Sequence, residues 1–415
     1  MNTAASSLDL RLPRGLLDPC LDLPPAGDDG LVAVRLGQRD GWVTAITPLT
    51  APAKAPPLAL TPLVEPHAHL DKCFTAAGYP NGSGTMAEAM ALNHQEHQVR
   101  GREEVLERAE RALQRAWRQG LRAIRSHIDS GGPAALPSWE ALLELRQRWA
   151  GRLEVQLVAL APLDQWATAE GRDLAGWLAG QGGLLGGVIG PPYGFGAGEV
   201  PGIEALLQLA EQLGCGVDLH VDEADHDPGR GVAQVAAAAL RLGTTVPITC
   251  SHASSMALLP QASQERFADR LAAAAITVVA LPLTNAWLLG RRPDHTPLVR
   301  PLAPIRTLQR CGVTVAVGAD NVQDPWFPGG DFDPLELLRF STVLAQLHPW
   351  RRHGLAPLTT AAAAVLGLPW DGVLRCGGPA DLVVLEARSW SELLARTPRR
   401  RVLRGGEWLD QAEEA

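Results

Sequence analysis

The sequence has few cysteines and no surplus of basic residues. Its six cysteines include no CxxC pair, which argues against a zinc finger and a disulfide scaffold and favours a reduced, cytoplasmic protein. The net charge of −8 gives no general attraction to nucleic acid or anionic lipid. Neither is therefore an expected partner.

Two further absences concern targeting and membranes. No apolar run reaches the about 20 residues that a membrane-spanning helix needs. The opening MNTAASSLDLRLPRG lacks the basic start and apolar core of a secretory signal. We therefore expect no membrane association and a cytoplasmic location.

The central part of the sequence alternates short apolar runs with longer amphipathic segments. The runs predict strands that are buried on both faces, whereas segments such as IEALLQLAEQLG have the periodicity of a helix. Eight such units favour an α/β fold of the (β/α)8 barrel type over residues 61–360. The predicted strands lie in LTPLVEPHAHL, LRAIRSH, LEVQLVAL, LLGGVIG, CGVDLHV, VPITCSH, ITVVALPL and VTVAVGAD.

The two ends of the chain have a different pattern from the middle. LVAVRLG and WVTAITPL near the start, and GGPADLVVLEA and RRVLRGGEWL near the end, resemble strands. Neither end could bury much surface alone. We expect residues 1–60 and 361–415 to pair as one small, discontinuous β-domain.

Several predicted barrel strands finish in side chains that can bind a metal or move a proton. All strand ends of a (β/α)8 barrel open onto one rim, so these distant side chains should converge. Core packing gives no reason for the pattern, because each unpartnered ionisable group costs several kcal/mol to bury. The residues are His67, His69, His127, His220, His252 and Asp320.

Four of these residues form a candidate metal site. His67 and His69 are two positions apart on an extended segment, so both imidazoles point to one side. His220 adds a third nitrogen and Asp320 an anionic oxygen, which leaves a position open for water. A divalent metal there would lower the pKa of bound water from about 15.7 to near 7.

Further residues have candidate roles in proton transfer. Glu223 follows His220 by three positions and is our general acid/base. His252 would contact the attacking oxygen, and Asp320 would help to deprotonate the water. For His127, a scaffold role and a site role remain equally open. His94 and His97 are interpreted as part of a solvent-exposed helix face.

An ordered series of motifs resembles the bacterial cytosine deaminase branch of the amidohydrolase superfamily. The resemblance covers nearly the whole chain and implies a barrel beside a β-sandwich built from both termini. It also implies a single metal, bound by the residues named above, because no lysine ends the fourth barrel strand. The motifs are VEPHAHLDK, PNGSGT, RSHIDS, DLHVDEADHD, TCSHASSM, GADNVQDPWFPGG, GGPADLVVL and LRGGEW.

The substrate-contacting positions depart from that branch. A second aspartate would be expected after Asp320, but Asn321 stands there, and an amide can donate as well as accept. Trp326 could stack on a flat ring. Gln165 is the candidate for the glutamine that reads the pyrimidine edge, and Leu70 is a further candidate contact.

The sequence thus predicts a metal-dependent deaminase that releases ammonia from a cytosine-like heterocycle by attack of metal-bound hydroxide. A related amidohydrolase that releases a substituted amine, or opens a cyclic amide, is the alternative. A non-catalytic binding protein is a third hypothesis. Fe²⁺, Zn²⁺ and Mn²⁺ all accept these ligands. Relatives of this kind commonly form oligomers, so the sequence leaves open whether the chain forms a homo-oligomer.

Overall fold

The computed structural model describes residues 6–50, 54–191, 193, 199–292 and 294–410. The chain divides into two compact units. Unit 1 comprises Met1–Val64, Gln114–Arg122 and Asp333–Ala415, and unit 2 comprises Glu65–Leu113 and Ala123–Phe332.

The strands follow one another along the chain as short segments. In chain order they are β1 (Ser6–Pro13), β2 (Leu31–Arg39), β3 (Trp42–Pro48), β4 (Ala59–Leu60), β5 (Leu63–Ala68), β6 (Leu121–Asp129), β7 (Glu154–Leu160), β8 (Leu185–Ile189), β9 (Val217–Val221), β10 (Ile248–His252), β11 (Thr277–Ala280), β12 (Val315–Val317), β13 (Leu382–Leu385), β14 (Arg400–Arg404) and β15 (Glu407–Trp408).

Helices separate most of these strands, and threonine, aspartate or serine caps the start of α1, α4, α10 and α13. The α-helices are α1 (Met86–Val99), α2 (Arg102–Gln119), α3 (Ala135–Trp149), α4 (Ala169–Gly180), α5 (Glu199–Leu213), α6 (Arg230–Leu242), α7 (Gln261–Ala273), α8 (Pro282–Leu288), α9 (Ile305–Arg310), α10 (Pro334–Leu344), α11 (Arg352–Leu355), α12 (Thr360–Val365) and α13 (Trp390–Ala395). Short 3₁₀ helices span Arg14–Leu16, Leu163–Ala167, Ser254–Leu258 and Ala356–Leu358.

Strands β5 to β12 form a closed barrel. One sheet has the order β5-β6-β7 and the other the order β8-β9-β10-β11-β12. A parallel bridge between Val158 and Leu184 joins the sheets at one seam, and a parallel bridge between Ala68 and Asp320 joins them at the other. All eight strands predicted from the sequence are present, and the (β/α)8 barrel is confirmed.

The second seam carries a side-chain clamp as well as backbone hydrogen bonds. The amide of Asp320 donates to the carbonyl of His67 at 2.9 Å. The carboxyl oxygens of the buried Glu65 accept from the amide of His67 at 3.0 Å and from the amide of Ala319 at 3.0 Å. Glu65 therefore ties the first barrel strand to the segment that follows the last one.

The apolar composition of the barrel strands reflects burial on both faces. Every residue of β9 and β10 is buried, as expected for parallel strands covered by helices. Helix α6 buries Val232, Val235, Ala236 and Ala239, a spacing of three to four residues that places them on one face. The sequence periodicity thus encodes the layers directly.

Unit 1 contains a small β-sandwich made from both ends of the chain. One sheet has the order β1-β2-β3 and the other the order β15-β14-β13-β4. Strand β4, from the first part of the chain, pairs antiparallel with β13, from the last part. The two sheets share one core, to which Leu12, Leu36, Leu382 and Leu403 belong. The predicted β-domain from both termini is confirmed.

The compact units divide the chain elsewhere than at the expected residues 60 and 361. Asp333, the cap of α10, forms an ion pair with Arg400 of β14, with an Nη1–Oδ1 distance of 2.5 Å. Arg122 likewise bonds Asp381 at 2.8 Å. These pairs attach residues 114–122 and the α10 region to unit 1, and nothing in the local sequence pattern marks such long-range pairs.

Among the described residues, no helix combines the length and apolarity needed to cross a bilayer.

A close packing contact in the barrel generates a stability prediction. A β-carbon added at Gly186 in β8 would lie 2.4 Å from the carbonyl oxygen of Asp218 and 2.6 Å from that of Ala159. Gly186→Ala should therefore lower the free energy of unfolding by about 1–3 kcal/mol. Urea denaturation measures this change.

The matched control is Gly176→Ala in α4, where an added β-carbon meets nothing within 4 Å. Helix propensity should there stabilise the protein by about 1 kcal/mol. Equal effects of the two substitutions would contradict the packing argument.

Candidate metal centre

Four barrel segments bring ligand-type atoms together. His67, His220, His252 and Asp320 each contribute one atom, and these atoms lie within 4.8 Å of one another. All four side chains are buried. His252 and Asp320 adopt left-handed backbone conformations, with φ of +69° and +66°, a strained geometry that functional sites often contain.

His69 reaches the same point from the segment after β5. Its Nε2 lies 3.2 Å from Oδ1 of Asp320 and 3.3 Å from Nε2 of His220. Nε2 of His67 lies 3.4 Å from the same Oδ1. The four residues named as metal ligands from the sequence are thus neighbours in space.

A buried relay fixes the orientation of the His67 ring. Its Nδ1 lies 2.9 Å from Oγ of Ser251, which donates to Oδ1 of Asp218 at 2.9 Å. Arg125 donates to the other oxygen of Asp218 at 2.8 Å. Because the Ser251 proton is given to Asp218, Nδ1 of His67 must carry the ring proton. Its Nε2 lone pair then faces Asp320, as metal ligation requires.

The cluster contains buried polar atoms that need a cation. Within the described part of the chain, Nε2 of His67, Nδ1 of His220 and both carboxylate oxygens of Asp320 have no hydrogen-bond partner. Burial lowers the pKa of His220 well below its usual value, so the ring is neutral and one of its nitrogens has a lone pair for a cation. This donor set fits a divalent metal ion.

Glu223, next to the cluster, and His252, a member of it, can transfer or donate protons. Oε1 of Glu223 lies 3.4 Å from Nδ1 of His252. Burial, and secondly the charge of Asp320, raises the pKa of Glu223 well above its usual value. Burial lowers the pKa of His252 to about 3, which keeps its imidazole neutral at physiological pH. Perturbed groups of this kind mark functional sites.

A cavity of about 530 Å³ opens onto the cluster. Asn321 and Trp326 line it, together with Glu223 and His252. Leu70 and Gln165, the other two expected substrate contacts, are not among its lining residues. The amide of Leu70 donates to Ser126 instead, at 3.0 Å.

Comparison with known proteins identifies the family. The model of the amidohydrolase family matches residues 80–408. The chain belongs to the amidohydrolase family. A pterin deaminase from Rhizobium rhizogenes is 33% identical to this amidohydrolase over 394 residues, which cover 92% of this chain and 89% of that protein.

Solved structures agree with this assignment. The structure of 5-methylcytosine deaminase from Klebsiella pneumoniae with 5-fluorocytosine shares 27% identity with this amidohydrolase, at a TM-score of 0.82, and covers 99% of this chain and 98% of its own. N-isopropylammelide isopropylaminohydrolase from Burkholderia multivorans shares 24% identity at a TM-score of 0.73, over 97% and 98% of the two chains. The latter likeness concerns the fold. Family and ligand cluster together indicate a bound metal ion.

Several cavity-lining residues of the amidohydrolase were absent from the sequence prediction. Lys72, just beyond the histidine pair, lies with its Nζ 2.7 Å from Oδ1 of Asp129. Arg100 contacts the other oxygen of Asp129 at 3.2 Å. Burial opposes the charge of Lys72, but Asp129 and Asp71 hold its pKa above the usual value. An ion-pair network therefore supports this wall.

Helix α1 also lines the cavity, which corrects one interpretation. His97 is buried, lines the cavity and has its Nε2 2.8 Å from the carbonyl oxygen of Gly131. The assignment of His97 to a solvent-exposed face was therefore wrong. His94 is exposed, although it also lines the cavity. The spacing of Met86, Met90, Asn93 and His97 on one helix face was the available signal.

His127, whose role was open, packs below the ligand cluster. Its ring stacks on that of His67 with a centroid distance of 3.9 Å. Its Nε2 lies 3.8 Å from Oδ1 of Asp218. His127 is fully buried and is not a lining residue of the cavity. These contacts favour the scaffold role for His127, in which it packs against the ring of His67.

The ligand cluster generates a metal-binding prediction. A ligand that binds only the folded state stabilises it by about 2.7 kcal/mol at a hundredfold excess over its Kd. Zn²⁺ added to chelator-treated protein should therefore raise its melting temperature. In Asp320→Asn the Zn²⁺ affinity should fall by more than about 100-fold, the upper range for changes outside a ligand set.

Asp227→Asn provides the control, since this exposed aspartate has a positive φ that asparagine tolerates. Calorimetry should give it wild-type Zn²⁺ binding. Equal binding by Asp320→Asn would remove Asp320 from the ligand set.

Proposed function

We propose that this amidohydrolase releases ammonia from a flat, amino-substituted heterocycle of the pterin class. The observation that carries the proposal is the position of Glu223, a partly buried carboxyl group in the cavity wall next to the ligand cluster. A deaminase needs such a group, because the leaving amine must be protonated as water adds to the ring carbon.

The substrate class rests on the relatives and on the size of the cavity. A protein that is 33% identical over most of both chains is named a pterin deaminase, and a structural relative is a 5-methylcytosine deaminase. The cavity of about 530 Å³ lies within the range of about 300–1,000 Å³ for pockets that enclose drug-sized ligands. A fused two-ring substrate uses this space better than a single pyrimidine does.

Each residue of the cluster has a defined part in the proposed reaction. His67, His69, His220 and Asp320 would hold a single Fe²⁺ or Zn²⁺ ion. The bound ion would supply a water molecule whose pKa lies near neutrality. Glu223 would take a proton from that water and deliver it to the ring nitrogen or the departing amine. Asp320 would assist the first transfer.

Asn321 and Trp326 would orient the ring. Nδ2 of Asn321 donates to Oδ2 of Asp324 at 2.7 Å, so its carbonyl oxygen is the atom that would accept from a ring N–H or amino group. Trp326 lies in the same wall and offers an indole face for stacking. Together, Asn321 and Trp326 would favour flat rings that carry a hydrogen-bond donor.

A substrate panel tests the proposed function. We expect the metal-loaded protein to release ammonia from pterin with a higher kcat/KM than from cytosine, 5-methylcytosine or an alkylamino-triazine. Chromatography of the products should give an intact ring. Release of a substituted amine, or of an opened ring, would favour the related reactions and reject deamination.

The carboxyl group of Glu223 generates a second prediction. Glu223→Gln keeps the shape of the side chain but cannot carry the proton, so kcat should fall by about 10²–10⁴-fold with the metal content unchanged. Glu170→Gln, at an exposed position in α4, is the control and should keep wild-type activity. If Glu223→Gln retains full ammonia release, another group transfers the proton.

A further inference from the structure

A buried asparagine lies behind the proton-transfer pair. Asn285, in the middle of α8, is fully buried and is not a cavity-lining residue. Its Nδ2 lies 3.1 Å from Nδ1 of His252 and 3.2 Å from Oε1 of Glu223. We propose that Asn285 is a positioning residue that fixes the tautomer of His252 and the orientation of Glu223.

The contacts determine which end of the amide faces the pair. One atom of Asn285 contacts both a carboxylate oxygen and an imidazole nitrogen, and an NH₂ group has two hydrogens to give them. The reversed amide would set a carbonyl oxygen against the carboxylate. It would also leave two N–H donors at the place where, among the described residues, Oδ1 has no partner. The NH₂ group therefore faces His252 and Glu223.

This orientation decides where the proton of His252 resides. Because Nδ1 accepts from Asn285, the ring proton lies on Nε2. Nε2 is buried without a hydrogen-bond partner in the described part of the chain, and His252 belongs to the cluster with His67, His220 and Asp320. His252 therefore presents an N–H donor, and no lone pair, to the position where oxygen adds to the substrate.

Without Asn285 the opposite tautomer is favoured. Nδ1 of His252 lies only 3.4 Å from Oε1 of Glu223, so Nδ1 would donate directly to that carboxylate. Nε2 would then carry a lone pair, which repels a developing oxyanion and competes for the metal. The NH₂ group of Asn285 prevents this because it donates one hydrogen to Nδ1 of His252 and the other to Oε1 of Glu223. Oε2 of Glu223 then stays available for proton transfer.

The fold holds Asn285 firmly in this place. Helix α8 begins with Pro282 directly after β11, and Leu283, Thr284 and Leu288 are also buried. The backbone N–H of Asn285 donates to the backbone carbonyl of Leu281 at 3.1 Å. The side chain thus starts from a rigid backbone, which a positioning residue requires.

The test reads the tautomer directly by ¹⁵N NMR of the Zn²⁺-loaded protein labelled in its histidine rings, with His252→Gln to identify the resonances. The wild type should carry the proton of His252 on Nε2. Asn285→Ala, which lacks the donor, and Asn285→Asp, which can only accept, should both move it to Nδ1. Thr284→Val, at the adjacent buried position, should leave it on Nε2.

Kinetics provide the second measurement, and this part rests on the proposed function. In Asn285→Ala, kcat on the best substrate should fall by about 10²-fold, comparable to the loss of one oxyanion donor, with KM within about twofold of the wild type. Melting curves must show a folded variant. A wild-type proton on Nδ1, or Asn285 variants that keep both the Nε2–H form and full kcat, would overturn the inference.

The two parts fail separately. The NMR measurement needs no substrate, so it tests the tautomer even if no compound in the panel is deaminated.

Discussion

The site depends on the burial of one carboxylate, that of Asp320, among imidazole rings. Asp320 is 1% exposed, and its Oδ1 lies 3.2 Å from Nε2 of His69 and 3.4 Å from Nε2 of His67. An isolated buried charge is expensive. The proposed metal ion would compensate this charge, so cation binding and the stability of the rim would be linked.

The fold was predictable from the sequence because the strands of a covered parallel sheet are nearly continuous apolar runs. The segments CGVDLHV and VPITCSH became β9 and β10, in which every residue is buried. The division into compact units was less predictable. It depends on ion pairs such as Asp333–Arg400 and Arg122–Asp381. The sequence around a charged residue does not indicate which distant residue it will pair with.

The site was predictable to the extent that its residues end strands. His67, His220 and Asp320 converge for that reason, whereas residues that reach the cavity from helices were missed. His97 lies on a helix whose polar face turns inward, and the sequence does not tell which side of such a helix meets solvent. No sequence pattern predicts the role of Asn285, because that role depends on two acceptors, on Glu223 and His252, that other segments of the chain contribute.

The clamp formed by Glu65 has a mechanical consequence. Its hydrogen bond from the amide of Ala319 crosses the seam where the barrel closes, and proposed metal ligands lie on both sides of that seam. Local opening there would separate His67 from Asp320 before the rest of the barrel loosens. On heating, the enzyme should therefore lose its metal ion in a step that precedes global melting. The highest temperature at which it is active would then be set by the stability of this seam, and not by that of the whole barrel.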